Sequence, residues 1–262
     1  MTTDDLPVVE TPLFLSLEDS PAYKHDVSND YGTPNLLFLY YLPYIPNSVK
    51  LEMDALREDI QTWHSWELAQ AEKHVQSQID KGNLPSDDSV ASRVKRTNYR
   101  FKVIQFLREE DESWKYTYEE SKTSIGPVDV QRGEENSMIR NGLRHRYLAQ
   151  VGLPQPFEVL LNVINGEMAA LAHTTYSFSH GYLKYDRDSG SFKPDLIASS
   201  FTVKKTDKEG DDSKVTVTIS FSDYKVKLDQ TLWREKRRLA EEEISKGEKI
   251  LKGMSFSFFV DC

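Results

Sequence analysis

The chain has 262 residues, of which 38% are hydrophobic and 29% are charged. This composition is typical of a globular protein, and the length allows one large domain or two small ones. The formal net charge of −9 gives the chain no bulk attraction to nucleic acid. The single cysteine, Cys262, excludes an intrachain disulfide, and the first ten residues lack a signal-peptide pattern. Both observations predict a cytoplasmic protein.

Residues 1–46 are rich in proline and acidic residues and show little periodicity. Their most apolar run, 35–46, is far shorter than the roughly 20 residues that a transmembrane helix needs, and Pro43 interrupts it. We interpret this run as a buried extended segment. The predicted organisation is an extended acidic arm over 1–46 and a single α+β domain over 47–262.

A long helix is predicted over 47–82. Apolar residues recur there at three- and four-residue steps from Val49 to Ile79, which is the spacing of one helix face. Asn47 is a favourable N-cap, and Gly82 is a favourable residue for ending a helix.

Alternating aromatic residues predict a β-hairpin over 97–119, with a charged turn in the middle. A short helix is predicted over 137–149. The segment 157–164 is ambiguous, because its apolar residues fit both periods and the Asn-Gly pair at 165–166 is typical of hairpins and of helix ends. We favour a helix there and leave the strand open.

Three strands separated by turn-rich connectors predict an antiparallel meander over 172–228. In the last strand, Val215, Val217, Ile219 and Phe221 share one parity, but Tyr224 and the apolar residues after it take the other. A β-bulge at 222–223 would restore a single apolar face, and such a bulge would bend the strand.

A surface helix is predicted over 229–251, with Asp229 as its N-cap, and a final strand follows it. The predicted fold class is therefore α+β. A curved antiparallel sheet, made of the meander 172–228, the hairpin 97–119 and the C-terminal strand, is covered by the helices 47–82 and 229–251.

Sequence motifs for metal, nucleotide or covalent catalysis are missing. The histidine spacing fits no zinc motif, and no phosphate-binding glycine loop or nucleophile elbow is present. We predict no metal and no cofactor, and the catalytic residues are unknown. On position alone, the candidate acid–base residues are His173, His180 and Glu167, although the two histidines have opposite parity on their strand.

Basic residues form two clusters that contain no acid. Four of their arginines are candidates for binding an anion: Arg96, Arg100, Arg140 and Arg144. The alternative is that these clusters balance the acidic arm of the same chain.

Aromatic residues recur at strand positions, where they can line a pocket for an apolar molecule or form an ordinary core. The candidate pocket residues are Trp114, Tyr116, Tyr118, Tyr176, Phe178, Tyr182, Phe201, Phe221 and Tyr224.

Three functions remain open from the sequence. The first is a binding protein whose aromatic sheet holds a hydrophobic small molecule or a protein partner, with no nucleic acid involved. The second is a pore-forming or membrane-acting protein, because the Ser/Thr-rich segments 196–205 and 214–222 are long enough to cross a bilayer as strands. The third is a metal-independent enzyme acting on an apolar substrate in the same cavity.

Overall fold

The computed structural model of the protein describes residues 6–9, 23–110, 120–151 and 171–260. Within these ranges the chain forms a mixed six-stranded sheet and five α-helices, so the predicted α+β class is confirmed. The strands are β1 (Leu36–Pro43), β2 (Glu120–Gln131), β3 (His173–Asp186), β4 (Ser191–Asp207), β5 (Lys214–Val226) and β6 (Ser255–Val260). The helices are α1 (Lys50–Asp80), α2 (Val90–Glu110), α3 (Glu135–Val151), α4 (Gln230–Arg237) and α5 (Glu241–Met254).

The strands lie in the order β2-β5-β4-β3-β1-β6. Neighbours from β2 to β3 are antiparallel, and β3, β4 and β5 form the meander predicted for 172–228. Strand β1 runs parallel to both β3 and β6, so the prediction of a wholly antiparallel sheet is wrong. The difference arises because the chain enters the sheet with β1 and adds the predicted C-terminal strand, β6, beside it. The curvature of the sheet stays a prediction.

Every residue of β1 is buried, because β1 lies between β3 and β6 and both of its faces are covered. Phe38 and Tyr40 join one core cluster, whereas Leu39 and Tyr41 join the other. A strand covered on both faces has a continuous run of apolar residues, which explains the sequence "LLFLYYLP" of β1. The division into an arm 1–46 and a domain 47–262 stays a prediction, although part of that arm supplies this strand.

One side of the sheet, here termed the helix face, carries Phe38, Tyr40 and Tyr224. These residues form a single cluster with buried side chains of α1, α2, α4 and α5. Helix α5 lies very close to α1, since a Cβ atom at Gly247 would overlap the carbonyl oxygen of Ser65. Only glycine allows these two backbones to approach so closely.

The opposite side of the sheet, here termed the aromatic face, carries Tyr176, Phe178, Phe201 and Phe221 in a second buried cluster. Helix α3 contributes apolar residues to this cluster. They are Ile139 and Leu143, which are buried, and Met138, which is partly buried.

Strand β5 changes the face on which it is buried. From Val215 to Phe221 its alternate apolar residues lie on the aromatic face, whereas Tyr224 and Val226 lie on the helix face. The register with β4 is continuous from Val215 to Val226, so the predicted bulge at 222–223 is wrong. The apolar phase flips because the cover changes from one side of the sheet to the other. The register shift that does occur lies in β2, between Ile125 and Val128.

The predicted hairpin 97–119 is also wrong, because residues 97–110 belong to helix α2. Tyr99, Phe101 and Val103 looked like one face of a strand, but α2 is buried on most of its circumference and carries apolar residues at adjacent positions. Such a helix loses its clear 3.6-residue period. Residues 111–119 lie outside the described part of the chain.

The remaining helices correspond to the predicted ones with shifted ends. Helix α1 falls within the predicted 47–82, and α3 includes the predicted 137–149. The predicted helix 229–251 is divided into α4 and α5, and Leu239 between them is 84% exposed. The side chain of Asp229 caps α4 by accepting a hydrogen bond from the Leu232 amide, as predicted. The ambiguous segment 157–164 lies outside the described residues.

Candidate functional site

The aromatic face of β3 is built by simple alternation. Successive side chains of a strand point to opposite sides, so Tyr176, Phe178, His180 and Tyr182 share one side of the sheet. The pairing with β1 places Tyr41 directly beside Tyr182. The strand register therefore brings a histidine into the middle of an aromatic row.

Ring contacts connect the aromatic side chains on this face. Tyr41 and Tyr182 stack with ring centroids 4.4 Å apart, and Tyr41 lies 5.8 Å from Phe258 on β6. Phe201 lies 4.9 Å from Tyr176 and 5.7 Å from Phe178. The rings thus form a continuous apolar surface across strands β6, β1, β3 and β4.

Three polar side chains form a hydrogen-bonded chain within this apolar surface. The Oγ atom of Ser199 lies 2.7 Å from Nε2 of His180, and Nδ1 of His180 lies 3.2 Å from the hydroxyl oxygen of Tyr41. Ser199 is 2% exposed and His180 is 4% exposed. A hydroxyl, an imidazole and a phenol therefore meet in a site from which bulk water is excluded.

The direction of these hydrogen bonds depends on the tautomer of His180. In the tautomer with the proton on Nδ1, that nitrogen donates to the Tyr41 oxygen, and Nε2 accepts the Ser199 hydroxyl proton. In the other tautomer, Nε2 donates to Ser199 and Nδ1 accepts the Tyr41 proton.

Burial determines the charge of this histidine. It lowers the pKa of His180 to about 4, since a buried imidazolium loses its hydration. The imidazole is therefore neutral at physiological pH and able to accept a proton.

An acidic residue lies beside Ser199. Asp223 on β5 is directly opposite Ser199 in the β4–β5 register, so both side chains point to the aromatic face. Asp223 is 9% exposed, and its charge adds to the raised pKa of Tyr182. The polar end of the site thus combines a carboxylate with neutral hydrogen-bonding groups.

The aromatic face extends to the edge of the sheet as the structure describes it. Phe256 and Phe258 of β6 share the parity of Leu39 and Tyr41 on β1, with which they pair. Phe258 is partly buried, whereas Phe256 is 37% exposed. An apolar surface therefore runs from solvent at β6 towards His180 on β3.

The predicted pocket residues divide into three groups. Five of them lie together on the aromatic face: Tyr176, Phe178, Tyr182, Phe201 and Phe221. Tyr224 lies on the helix face, where burial raises its pKa to about 12 and its hydroxyl contacts Arg108. The prediction for Tyr224 is therefore corrected, because the phase flip in β5 turns it away from the others. Trp114, Tyr116 and Tyr118 lie outside the described residues.

Of the two predicted histidines, His180 belongs to this site and His173 does not. His173 lies on the opposite side of β3, since the register with β4 continues without a shift from one histidine to the other. Glu167 lies outside the described residues.

The four predicted anion-binding arginines do not form one site. Arg96 and Arg100 on α2 are buried, and both bind Asp30 at 2.7 Å, while Arg100 also binds Glu72 at 2.7 Å. Their charges are met inside the protein by carboxylates, one of which belongs to the predicted acidic arm. Two further arginines, Arg140 and Arg144, are exposed on α3. Binding of an external anion by Arg140 and Arg144 stays a prediction.

A surface cleft of about 780 Å³ lies between α1, α4 and α5. At its base the buried Asp59 accepts hydrogen bonds from Arg234 and Arg237, with N–O distances of 2.6 Å and 3.1 Å. Charges of opposite sign therefore pair with each other along this cleft.

The described residues contain neither a metal-binding cluster nor a membrane-spanning helix. In residues 6–9, 23–110, 120–151 and 171–260, no three His, Cys, Asp or Glu side chains are placed to hold a metal ion together. No helix in those ranges is both long and apolar enough to cross a membrane.

Comparisons with known proteins find likeness at the level of structure. No protein-family model matches the chain, and no curated protein matches it. Among solved structures, the chain is similar to the structure of the Evf virulence factor, with a TM-score of 0.48 and 12% sequence identity over 94% of each chain. At this level the likeness supports no conclusion about function.

The sequence patterns do not single out Ser199, Tyr41 or Asp223. Ser199 is one of two adjacent serines in "IASSFTV", and only the parity of Phe201 assigns it to the aromatic face. Tyr41 belongs to an apolar run without alternation, so its direction cannot be read from the sequence. Their meeting with His180 depends on strand register, which long-range pairing determines.

Proposed function

We propose that this protein binds an apolar small molecule against the aromatic face of its sheet. The observation that carries the proposal is the hydrogen-bonded chain of Ser199, His180 and Tyr41, buried among stacked aromatic rings. Small-molecule sites are typically concave and mostly apolar, with a few convergent polar groups, one of which has a shifted pKa. The apolar lining and the convergent polar groups of the aromatic face support the proposal.

The apolar part of the ligand lies along Phe256 and Phe258, the rings of the aromatic face at its β6 end that are not fully buried. Phe258 stacks with Tyr41, so these rings lead to the polar chain. The ligand enters from β6, where Phe256 gives the aromatic face its exposed end. Burial of an alkyl chain on these rings supplies about 0.8 kcal/mol for each methylene.

The polar end of the ligand is uncharged. His180 is neutral, Ser199 and Tyr41 are hydroxyl groups, and Asp223 places a negative charge nearby. A carboxylate in this position would be repelled and would gain no cationic partner. A hydroxyl or a carbonyl group would accept or donate hydrogen bonds without that repulsion.

A thermal-shift series tests the proposal. Long-chain alcohols, ketones and carboxylates of matched length are compared for the rise in Tm that they cause. A ligand present at 100 times its Kd stabilises the folded protein by about 2.7 kcal/mol, which raises Tm. We expect a rise with the alcohols and ketones, a smaller rise with the carboxylates, and a rise that increases with chain length.

Variants locate the binding. The change His180→Leu keeps an apolar side chain but removes the polar chain, so it is expected to abolish the preference for alcohols and ketones over plain alkanes. The matched control is Ser200→Ala, because Ser200 follows Ser199 in β4 and its side chain points to the opposite side of the sheet. This variant is expected to leave the rises in Tm unchanged. The proposal fails if no member of the series raises Tm, or if His180→Leu keeps the full preference.

The two segments of the membrane-acting hypothesis are inner strands of the sheet. The segments 196–205 and 214–222 are parts of β4 and β5, each paired with a strand on both sides. A membrane-acting role, a protein partner and a cytoplasmic location stay predictions.

A further inference from the structure

We infer that Ser199 is a nucleophile that accepts the acyl group of an apolar, uncharged carboxylic ester and passes it to water. This inference rests on the proposed function, because the aromatic face must first bind the ester. It goes further, because it assigns a reaction class to the site and a role to each member of the polar chain.

The geometry is that of an activated nucleophile. Ser199 Oγ lies within hydrogen-bond distance of His180 Nε2, at 2.7 Å, and the other ring nitrogen is held by Tyr41 at 3.2 Å. A hydroxyl, a base in contact with it and a third group that orients the base are the parts that acyl transfer requires. They come from strands β4, β3 and β1, so rigid elements hold all three.

One tautomer of His180 has the lone pair that the reaction needs. Burial keeps the imidazole uncharged at neutral pH, and when Nδ1 donates to Tyr41 the lone pair on Nε2 faces Ser199. The site is nearly closed to water, which strengthens electrostatic interactions inside it. Tyr41 is a positioning residue, since it acts through the imidazole.

The reaction balances with these groups and water. Ser199 Oγ bonds to the ester carbonyl carbon while its proton moves to His180 Nε2. The carbon–oxygen bond to the alcohol then breaks, and the leaving alcohol takes that proton. Water next attacks the acyl-serine and gives a proton to His180. The bond to Ser199 breaks, the serine regains its proton, and a carboxylic acid leaves.

The site also selects the substrate. The acyl chain lies along Phe258 and Phe256 towards β6, because Phe178 and Phe201 beside Ser199 are already covered by other side chains. Asp223, opposite Ser199, disfavours esters that carry a negative charge near the carbonyl. It also disfavours retention of the carboxylate product after hydrolysis.

An alkyl fluorophosphonate tests the nucleophile, because this probe forms a covalent adduct with activated serines. The protein is incubated with the probe, and peptide mass spectrometry locates the adduct. We expect one adduct on Ser199 that Ser199→Ala removes. His180→Gln is expected to slow labelling by about 10²- to 10⁴-fold, which is the usual contribution of a general base.

Further variants separate a chemical role from a structural one. Tyr41→Phe is expected to lower kcat for long-chain nitrophenyl esters, because the His180 imidazole loses the hydroxyl group that orients it. KM is expected to stay nearly unchanged, because the Tyr41 hydroxyl does not contact the acyl chain. Ser200→Ala serves as the matched control and is expected to label and hydrolyse at the parent rate. Thermal unfolding of each variant shows that it is folded.

A dialkyl ether of matched length distinguishes the inference from the proposed function, since an ether binds but cannot be hydrolysed. If the ether raises the Tm of the parent and of Ser199→Ala, while the probe leaves Ser199 unlabelled, the nucleophile is refuted and the binding function stands. An adduct that survives Ser199→Ala also refutes it. If neither binding nor labelling occurs, both proposals fail.

Discussion

The chemistry of single residues in this protein is set by burial more than by residue type. His180 has the same imidazole as the partly exposed His25, but it is enclosed by Ser199, Tyr41 and aromatic rings. An enclosed imidazole without an acidic hydrogen-bond partner stays neutral over a wide pH range. His64, buried on the helix face with Nδ1 at 2.8 Å from the Tyr40 hydroxyl, has its pKa lowered by burial in the same way.

A pH prediction follows from His180. Its pKa falls from 6.5 to about 4 on folding, so between these values the unfolded chain binds more protons than the folded one. The stability that His180 contributes is full above pH 6.5 and is lost as pH falls through about 4. The loss is about 3 kcal/mol for a shift of this size. Asp223 and Tyr182 face the same site, and Tyr182 does not titrate in this range because its pKa is raised.

Urea unfolding at several pH values, with the parent compared against His180→Gln, measures this contribution. The variant is expected to lose less stability than the parent between pH 6.5 and 4, whereas His64 contributes equally to both proteins and cancels. Equal pH dependence of the two proteins would contradict the lowered pKa.

At the scale of elements, close approach explains features that local propensity does not. Helix α5 contains Gly247 in its interior, where glycine costs roughly 1 kcal/mol relative to alanine. The residue is there because Ser65 of α1 leaves no room for a Cβ atom. The pairing of α1 with α5 thus depends on one missing side chain.

The change Gly247→Ala tests this contact. Local helix propensity predicts a gain in stability, but the overlap with the Ser65 carbonyl group predicts a loss of about 1–3 kcal/mol or more. Thermal or denaturant unfolding measures which effect is larger. The control is Ser245→Ala, an exposed position of the same helix, which is expected to stay within about 0.5 kcal/mol of the parent. A gain in stability for Gly247→Ala would disprove the close packing.

At the scale of the whole molecule, buried ion pairs connect parts of the chain that are distant in sequence. Asp30, which precedes β1, binds Arg96 and Arg100 of α2, and Arg100 in turn binds Glu72 of α1. The Arg96 guanidinium also donates hydrogen bonds to the Pro85 and Asp87 carbonyl groups. A second buried pair, Arg108 with Glu67, joins α2 to α1 again.

Neutralising Asp30 is therefore expected to destabilise the fold as a whole. In Asp30→Asn, two buried guanidinium groups lose their shared carboxylate, and the free energy of unfolding is expected to fall by about 3–5 kcal/mol. Guanidinium chloride unfolding measures the loss. Asp54→Asn, at an exposed position of α1, is the charge-matched control and is expected to change stability by less than about 0.5 kcal/mol. If both variants unfold alike, the network is not a determinant of stability.

Part of this architecture is predictable from local patterns in the sequence. The meander, helices α1 and α3, the Asp229 cap and the parity of Tyr176, Phe178 and Phe201 all follow from period and turn chemistry. Helix α2 was not predictable in this way, because a helix buried on most sides has no clear polar face. Strand β1 was interpretable only as a buried extended segment, since a strand covered on both faces does not alternate.

By itself, then, the sequence determined the α+β class and the aromatic row along β3, because these depend on residues close together in the chain. Only the tertiary structure decided that β1 enters the sheet beside β3, that β5 is covered on opposite faces at its two ends, and that Ser199 and Tyr41 meet His180. Those outcomes depend on long-range strand register. A shift of one residue would turn each side chain to the other face.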